Sequence, residues 1–396
     1  MLTEEDHFNG SLEDLITAKR RFPELSFLRK DFLFHEDDID VSFRAGADAV
    51  LLIASILESE RLKALYDSAT KLGMTALVEV HDDDDLAKIA RIRPACVGCN
   101  ARNLETFLVD PLVPIELRNS IDWRCETIYE SGVWEPEHAE LAASTGFDAI
   151  LVGESVVRNP GLVSLLIEGF SRGDATRDFW KRIALRRRAR RPLAKICGLT
   201  TSEDVNLACN LGADVLGFNF ADSPRRTTPA FVRGLTKTDA LKVAVVVTGS
   251  GKSLDSDIVD LYRDGAVDAI QFHGEETPVE CGEYGIPYYK AVRIGSQNDI
   301  DEVSRFLSPR VLVDARTSGA RGGTGVRIDD ALVSKVGEGG PLWLAGGLNP
   351  DNVTAIVSRH GPELVDVASG LEDLPGKKDP RRMRRFFSEL DGVSST

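Results

Sequence analysis

One short phrase returns through this chain and limits what it can fold into more than any other feature. It reads Gly46-Ala-Asp-Ala-Val50 before LLIAS and Gly146-Phe-Asp-Ala-Ile150 before LVGES. It returns as Gly212-Ala-Asp-Val-Leu216 before GFNF and as Gly265-Ala-Val-Asp-Ala-Ile270 before QFHGEE. A glycine ends a helix in the left-handed conformation, a short turn follows, and an apolar run enters a strand buried on both faces. Polar or Gly-rich residues come next, then another amphipathic helix. Strands alternating with helices of about 10–15 residues define βαβ units and a parallel sheet. So many repetitions favour closed (β/α)8 barrels, with an open doubly wound sheet as the alternative.

Eight strands follow Pro192: LAKICGL, DVLGFNF, KVAVVVT, DAIQFHG, YYKAVRI, RVLVDAR, LWLAGGL and LVDVASG. Residues 193–396 fall within the length of about 200–250 residues that one such barrel needs. Only six strands precede Arg172: SFLRK, DAVLLIA, TALVEV, ACVGCNA, ETIYES and DAILVG. The expected organisation is therefore two (β/α)8 barrels in tandem. The first spans residues 1–172 and is incomplete, lacking its first strand and most of its second. Residues 173–192 form a basic helix and linker, and residues 193–396 a complete second barrel. Such a shortened barrel leaves strand edges without partners.

The composition excludes several classes. The formal charge is −15 over 396 residues, which argues against a general nucleic-acid binder. No run approaches the ~20 apolar residues of a membrane helix, and MLTEEDHFNG has no signal-peptide character. Six cysteines are too few for a disulfide framework and fit a reducing, cytoplasmic setting. The Arg-rich stretch before Pro192 reads as the last helix of the first barrel followed by an exposed, solvated connector. Cys96 and Cys99 form a CxxC, which without a second pair is weak evidence for zinc or redox chemistry.

In the second half, chemistry-bearing residues fall at the C-terminal ends of strands, where barrel active sites lie. Cys197 ends LAKICGL and Asp314 ends RVLVDAR. Gly-rich stretches follow, Gly322-Gly-Thr-Gly325 and Ala345-Gly-Gly-Leu-Asn349, and Ala368-Ser-Gly370 closes the last strand. Glycines after strands seven and eight let backbone N–H groups approach a phosphate. KICGLT, GFNFADSPR, QFHGEE, VDARTSGARGGTG, LAGGLNPDNV and VDVASGLEDLPGKKD resemble, in order, the motifs of phosphoribosylanthranilate isomerase. The resemblance implies an Amadori rearrangement of an aminoaldose phosphate to an aminoketose phosphate. It makes Asp314 the general acid and Cys197 the general base, with Arg225 on the anthranilate carboxylate. Gly322, Gly323, Gly346, Gly347, Ser369 and Gly370 would cradle the phosphate, and Gln271 and His273 would line the mouth.

In the first half, LTEEDHFNGSLEDL, FLRKDF, ALVEVHD, VGCNARNLETF, YESGVWEP and LVGES resemble indole-3-glycerol-phosphate synthase, which closes an indole ring with loss of CO₂ and water. The resemblance makes Lys30 a general acid and Glu79 the strand-end carboxylate, with Asn100 and Arg102 at the mouth. Ser131, Gly132, Gly153 and Glu154 match the ends of the last two strands, including the phosphate site. Phe8, Gly10 and Ser11 match the loop after the second strand. The family's first-strand Glu and Lys and its Ser-Pro-Ser loop have no counterpart here. The expectation is an active isomerase fused to a synthase domain that is inactive as written. The alternatives are full bifunctionality if the reading frame begins upstream, or a first half that serves as a scaffold. Small phosphorylated sugar–anthranilate substrates are implied, with no cofactor, metal, nucleic acid or membrane. A monomer is compatible with all of this.

Overall fold

The computed structural model describes residues 1–176, 178–188, 191–249, 253–314 and 330–393. The chain divides into two compact units, Met1–Ala175 and Thr176–Thr396. Among the described residues, no helix is long and apolar enough to cross a membrane.

The first unit holds a parallel sheet in sequential order: β1 (Leu28–Arg29), β2 (Ala49–Ile53), β3 (Thr75–Val80), β4 (Cys96–Asn100), β5 (Glu126–Glu130) and β6 (Ala149–Leu151). These are the six strands read from the sequence. Ahead of β1, Leu2 makes a parallel bridge to Lys30, and the Met1 carbonyl accepts the Lys30 N–H at 2.8 Å.

The second unit is a closed parallel barrel of eight strands: β7 (Leu193–Cys197), β8 (Val215–Asn219), β9 (Leu241–Val246), β10 (Ala269–Phe272), β11 (Tyr288–Arg293), β12 (Val311–Asp314), β13 (Trp343–Ala345) and β14 (Leu364–Val367). All eight expected strands are present. A hairpin that the sequence reading did not anticipate follows, β15 (Glu372–Leu374) with β16 (Lys377–Lys378).

The recurring phrase has one structural meaning at all four sites. Gly46, Gly146, Gly212 and Gly265 all have positive φ, between 68° and 93°, where an L-residue with a Cβ is strained. The aspartate that follows reaches back to the start of the preceding strand. Asp48 accepts the Phe27 N–H at 2.7 Å, Asp148 that of Thr127 at 2.8 Å, Asp214 that of Ala194 at 2.9 Å and Asp268 that of Lys242 at 2.6 Å. Each aspartate thus satisfies a backbone donor at the sheet's N-terminal edge.

The basic segment before Pro192 corrects an expectation. The last helix of the first unit is Leu162–Ser171, and a separate helix, Phe179–Arg186, belongs to the second unit. It is no exposed connector, for Phe179, Trp180, Ile183 and Ala184 are buried. The Phe179 ring stacks on Tyr289 with centroids 6.3 Å apart, and Trp180 lies 5.8 Å from Trp343. Its arginines meet carboxylates of the barrel: Arg182 with Asp268, Arg187 with Glu363 and Arg191 with Asp214. A run of like charge reads as solvated, but carboxylates at strand starts, far away in sequence, pair with Arg182, Arg187 and Arg191.

Candidate active sites at the strand ends

Cys197 is the last residue of β7. Gly217 on the neighbouring strand leaves room for its sulfur, since a Cβ there would stand 2.8 Å from Sγ. Burial pushes the Cys197 thiol up, while the buried Lys195 ammonium, Lys378 and the Gly198 N–H favour the thiolate. Gly198 has φ +73°, and a Cβ on it would meet Arg225 Cδ at 2.7 Å, so the Arg225 chain lies directly against the turn after Cys197.

Arg225 gives Nε and Nη2 to Glu372 at 2.8 and 2.7 Å. This is the bidentate fork that guanidinium and carboxylate planes favour. Glu372 also accepts from Lys378 Nζ at 3.1 Å, and the same ammonium donates to the Cys197 carbonyl at 2.7 Å. Burial opposes ionisation of Glu372, yet Arg225 and Lys378 hold its carboxyl below the usual range. The hairpin β15–β16 therefore fixes Arg225 beside Cys197. Glu372 and Lys378 were not singled out in the sequence, although both stand in the VDVASGLEDLPGKKD motif.

Asp314 ends β12, 1% exposed, and its Oδ2 lies 3.6 Å from His273 Nε2. Gln271 Nε2 is 3.2 Å from His273 Nδ1, and Gln271 Oε1 accepts from Lys195 Nζ and Tyr289 OH. These contacts join β7, β10, β11 and β12 across the barrel interior. Lys195 shares the inward parity of Cys197, a signal available in the sequence; it pairs with Asp366. Gly346 and Gly347 have φ +101° and +64°. A Cβ on Gly370 would stand 1.9 Å from the Leu348 carbonyl oxygen, so the turn beginning at Ser369 lies against the Gly346–Gly347 loop. Gly322 and Gly323 lie outside the described residues.

The first unit also gathers a polar centre. Lys30 Nζ lies 3.2 Å from Glu79 Oε2 and 3.7 Å from Glu130 Oε2. His81 Nε2 stands 3.2 Å from Glu79 Oε1, and its Nδ1 stands 3.5 Å from Asp85 Oδ2. Burial opposes the charge on Glu79, but His81 and Lys30 hold its carboxyl far below the ordinary range. Burial and the neighbouring Glu79 charge push Glu130 well up. Two carboxyl groups at a single centre are thus driven in opposite directions by their surroundings. Glu130 was missed in the sequence, although it immediately precedes Ser131. Gly98 makes its place, for a Cβ there would come within 1.8 Å of Glu130 Oε1.

Asn100 is buried and its Oδ1 accepts the Arg102 N–H at 2.9 Å, while Arg102 Nη1 reaches the Phe107 carbonyl. Ser131 and Gly132 have φ +67° and +71°. Gly153 precedes the helix Glu154–Arg158, with open space at its Cβ position. Glu154 turns its side chain to Arg158 at 2.6 Å. Ser11 caps the helix Leu12–Arg21, and Gly10 passes so close to the Leu2 carbonyl that a Cβ would come within 2.4 Å. Phe8 is exposed. Cys96 and Cys99 are free thiols, both pushed up chiefly by burial, Cys96 to about 11.

Fold and sites together define a class: β/α-barrel enzymes with ionisable side chains gathered at the C-terminal ends of their strands. Residues 194–389 match the family model of N-(5'-phosphoribosyl)anthranilate (PRA) isomerase, and residues 1–166 that of indole-3-glycerol phosphate synthase. An N-(5'-phosphoribosyl)anthranilate isomerase from Citrifermentans bemidjiense is 39% identical over 203 residues, covering 50% of this chain and 97% of its own. A tryptophan biosynthesis protein from Phytophthora nicotianae is 28% identical over 98% of this chain and 84% of its own length. A multifunctional tryptophan biosynthesis protein from Schizosaccharomyces pombe is 27% identical over 98% of this chain, which spans 54% of that relative. The chain belongs to the phosphoribosylanthranilate isomerase family through its second unit, fused to an indole-3-glycerol phosphate synthase domain.

Proposed function

We propose that the second unit converts N-(5'-phosphoribosyl)anthranilate to 1-(o-carboxyphenylamino)-1-deoxyribulose 5-phosphate. Asp314, in its acid form, gives its proton to the ring oxygen as the C1′–O bond breaks and the nitrogen lone pair forms C1′=N. The Cys197 thiolate takes the C2′ proton, and the freed electron pair makes C1′=C2′ while the imine electrons return to nitrogen. The resulting enolamine becomes the aminoketose by losing its enol proton and gaining one at C1′. Burial, with Asp366, raises the Cys197 thiol overall, and Lys195, Lys378 and the Gly198 N–H oppose that rise. Arg225, fixed by Glu372, offers its remaining N–H donors to the anthranilate carboxylate. Gly346, Gly347, Ser369 and Gly370 hold the phosphate.

The observation that supports this reading is the chain of contacts from Lys195, two residues before Cys197, through Gln271 and His273 to Asp314. In the first unit, Lys30 as acid and Glu79 as carboxylate, with Glu130 beside them, form a synthase-type centre, with Asn100, Arg102 and Ser131 at its rim. That centre suits the product of the second unit as its substrate. A cytoplasmic setting fits these charged small substrates.

The test is direct. The chain is incubated with N-(5'-phosphoribosyl)anthranilate, whose fluorescence falls as it is isomerised, while indole absorbance reports the synthase. Cys197→Ala and Asp314→Asn should each lower isomerase turnover by at least ~10²-fold, the low end of acid–base contributions. Near-normal turnover in either variant removes that residue from the mechanism.

A further inference from the structure

The interior of the second barrel carries a row of polar groups that the scheme above does not itself consume. Lys195, wholly buried, donates from Nζ to Asp366 Oδ2 and to Gln271 Oε1. An ammonium only donates, so the oxygen of the Gln271 amide must face Lys195. Tyr289 OH, donating to the same oxygen at 3.1 Å, fixes that orientation a second time. The amide nitrogen then faces the other way, 3.2 Å from His273 Nδ1. It too only donates, so Nδ1 must accept, and the proton of the neutral ring sits on Nε2. That nitrogen is buried, has no hydrogen-bond partner among the described residues, and lies 3.6 Å from Asp314 Oδ2.

We propose that Lys195 and Gln271 set the His273 tautomer so that its Nε2–H is a fixed donor to the Asp314 carboxylate formed when that acid gives up its proton. The inference rests on the isomerase reading and adds a positioning residue to it. A separation of 3.6 Å is too long for a hydrogen bond, whereas a charge-assisted N–H···O⁻ contact closes to about 2.7–2.9 Å. The interaction therefore strengthens as negative charge appears on Asp314. Stabilisation realised late in the reaction is what lowers a barrier. A neutral imidazole matters here, because an imidazolium would favour the ionised carboxylate before the reaction and so remove the acid. The proton delivered to the ring oxygen comes from Asp314, and none leaves His273.

Two measurements on the full chain test this. With ¹⁵N-labelled histidine, long-range ¹H–¹⁵N correlation should show His273 protonated at Nε2, and Gln271→Leu should abolish that preference. With N-(5'-phosphoribosyl)anthranilate, His273→Leu should lower kcat at least ~10-fold and leave KM within about twofold, as for loss of a donor to developing charge. His273→Gln, whose side chain carries an N–H to a similar reach, should recover most of the loss. An Nδ1–H tautomer in the unsubstituted chain overturns the proposal, as does unchanged kcat in His273→Leu. Failure of the isomerase reading would appear instead as no turnover in the unsubstituted chain, and the tautomer would still decide the inference.

Discussion

Glu79 and Glu130 are one residue type in mutual contact, and their surroundings drive them apart. His81 and Lys30 outweigh burial at Glu79, whereas burial and the Glu79 charge push Glu130 well up. His81 is the hinge of this arrangement. Burial works against its charged form, but Asp85 and Glu79 prevail and bring its pKa up to about 9. A histidine raised in the folded state contributes stability that is complete below about pH 6.5 and is lost as pH climbs through about 9. The first unit should therefore weaken across that window by up to about 3 kcal/mol. Urea unfolding at both ends of the window measures the loss. His81→Gln, which cannot charge, should flatten the dependence, and an equal slope in that variant would reject the assignment. Glu79 and Lys30 were legible as strand-end residues. Glu130 was not, because its role depends on the space Gly98 leaves on the adjacent strand.

At the scale of elements, the repeated Gly…Asp turn explains why the strands were readable. Each unit carries its own stop signal, a positive-φ glycine, and its own anchor, an aspartate bound to the preceding strand. Both signals are local. Asp148→Ala removes acceptors for the Thr127 N–H and hydroxyl and should cost about 1 kcal/mol in the first unit. No change in its denaturation midpoint would show that the contact is incidental. Gly370→Ala should do more. Its Cβ would collide with the Leu348 carbonyl oxygen, a backbone atom that cannot rotate away, and the expected cost is about 1–3 kcal/mol. Thermal unfolding measures it, and wild-type stability would mean that the turn relaxes freely. The β15–β16 hairpin escaped the sequence reading because LEDLPGKKD has the composition of a surface turn. Glu372 and Lys378 are nevertheless buried, paired with each other and with Arg225 and the Cys197 carbonyl, which lie outside the hairpin.

Over the whole molecule, the boundary between units lies before the basic helix, at Ala175 and Thr176. That helix buries Phe179 and Trp180 against Tyr289 and Trp343, so it is part of the second unit's core. Trp180→Ala should destabilise the second unit by about 3–5 kcal/mol, as large-to-small core changes do. Chemical denaturation followed by Trp343 fluorescence would record it, and an unchanged midpoint would return the helix to the status of a connector. The sequence alone determined the β/α alternation, the two barrel-like halves, and the placing of Cys197, Asp314, Lys30 and Glu79 at strand ends. All of these follow from signals within a few residues of one another. Only the tertiary structure decided that Arg225 meets Glu372 147 residues away, that Lys195 reaches Gln271, and that Arg182, Arg187 and Arg191 meet carboxylates. Closing a sheet makes neighbours of residues that no sequence period relates, and inside the barrel a charge persists only where such a neighbour compensates it.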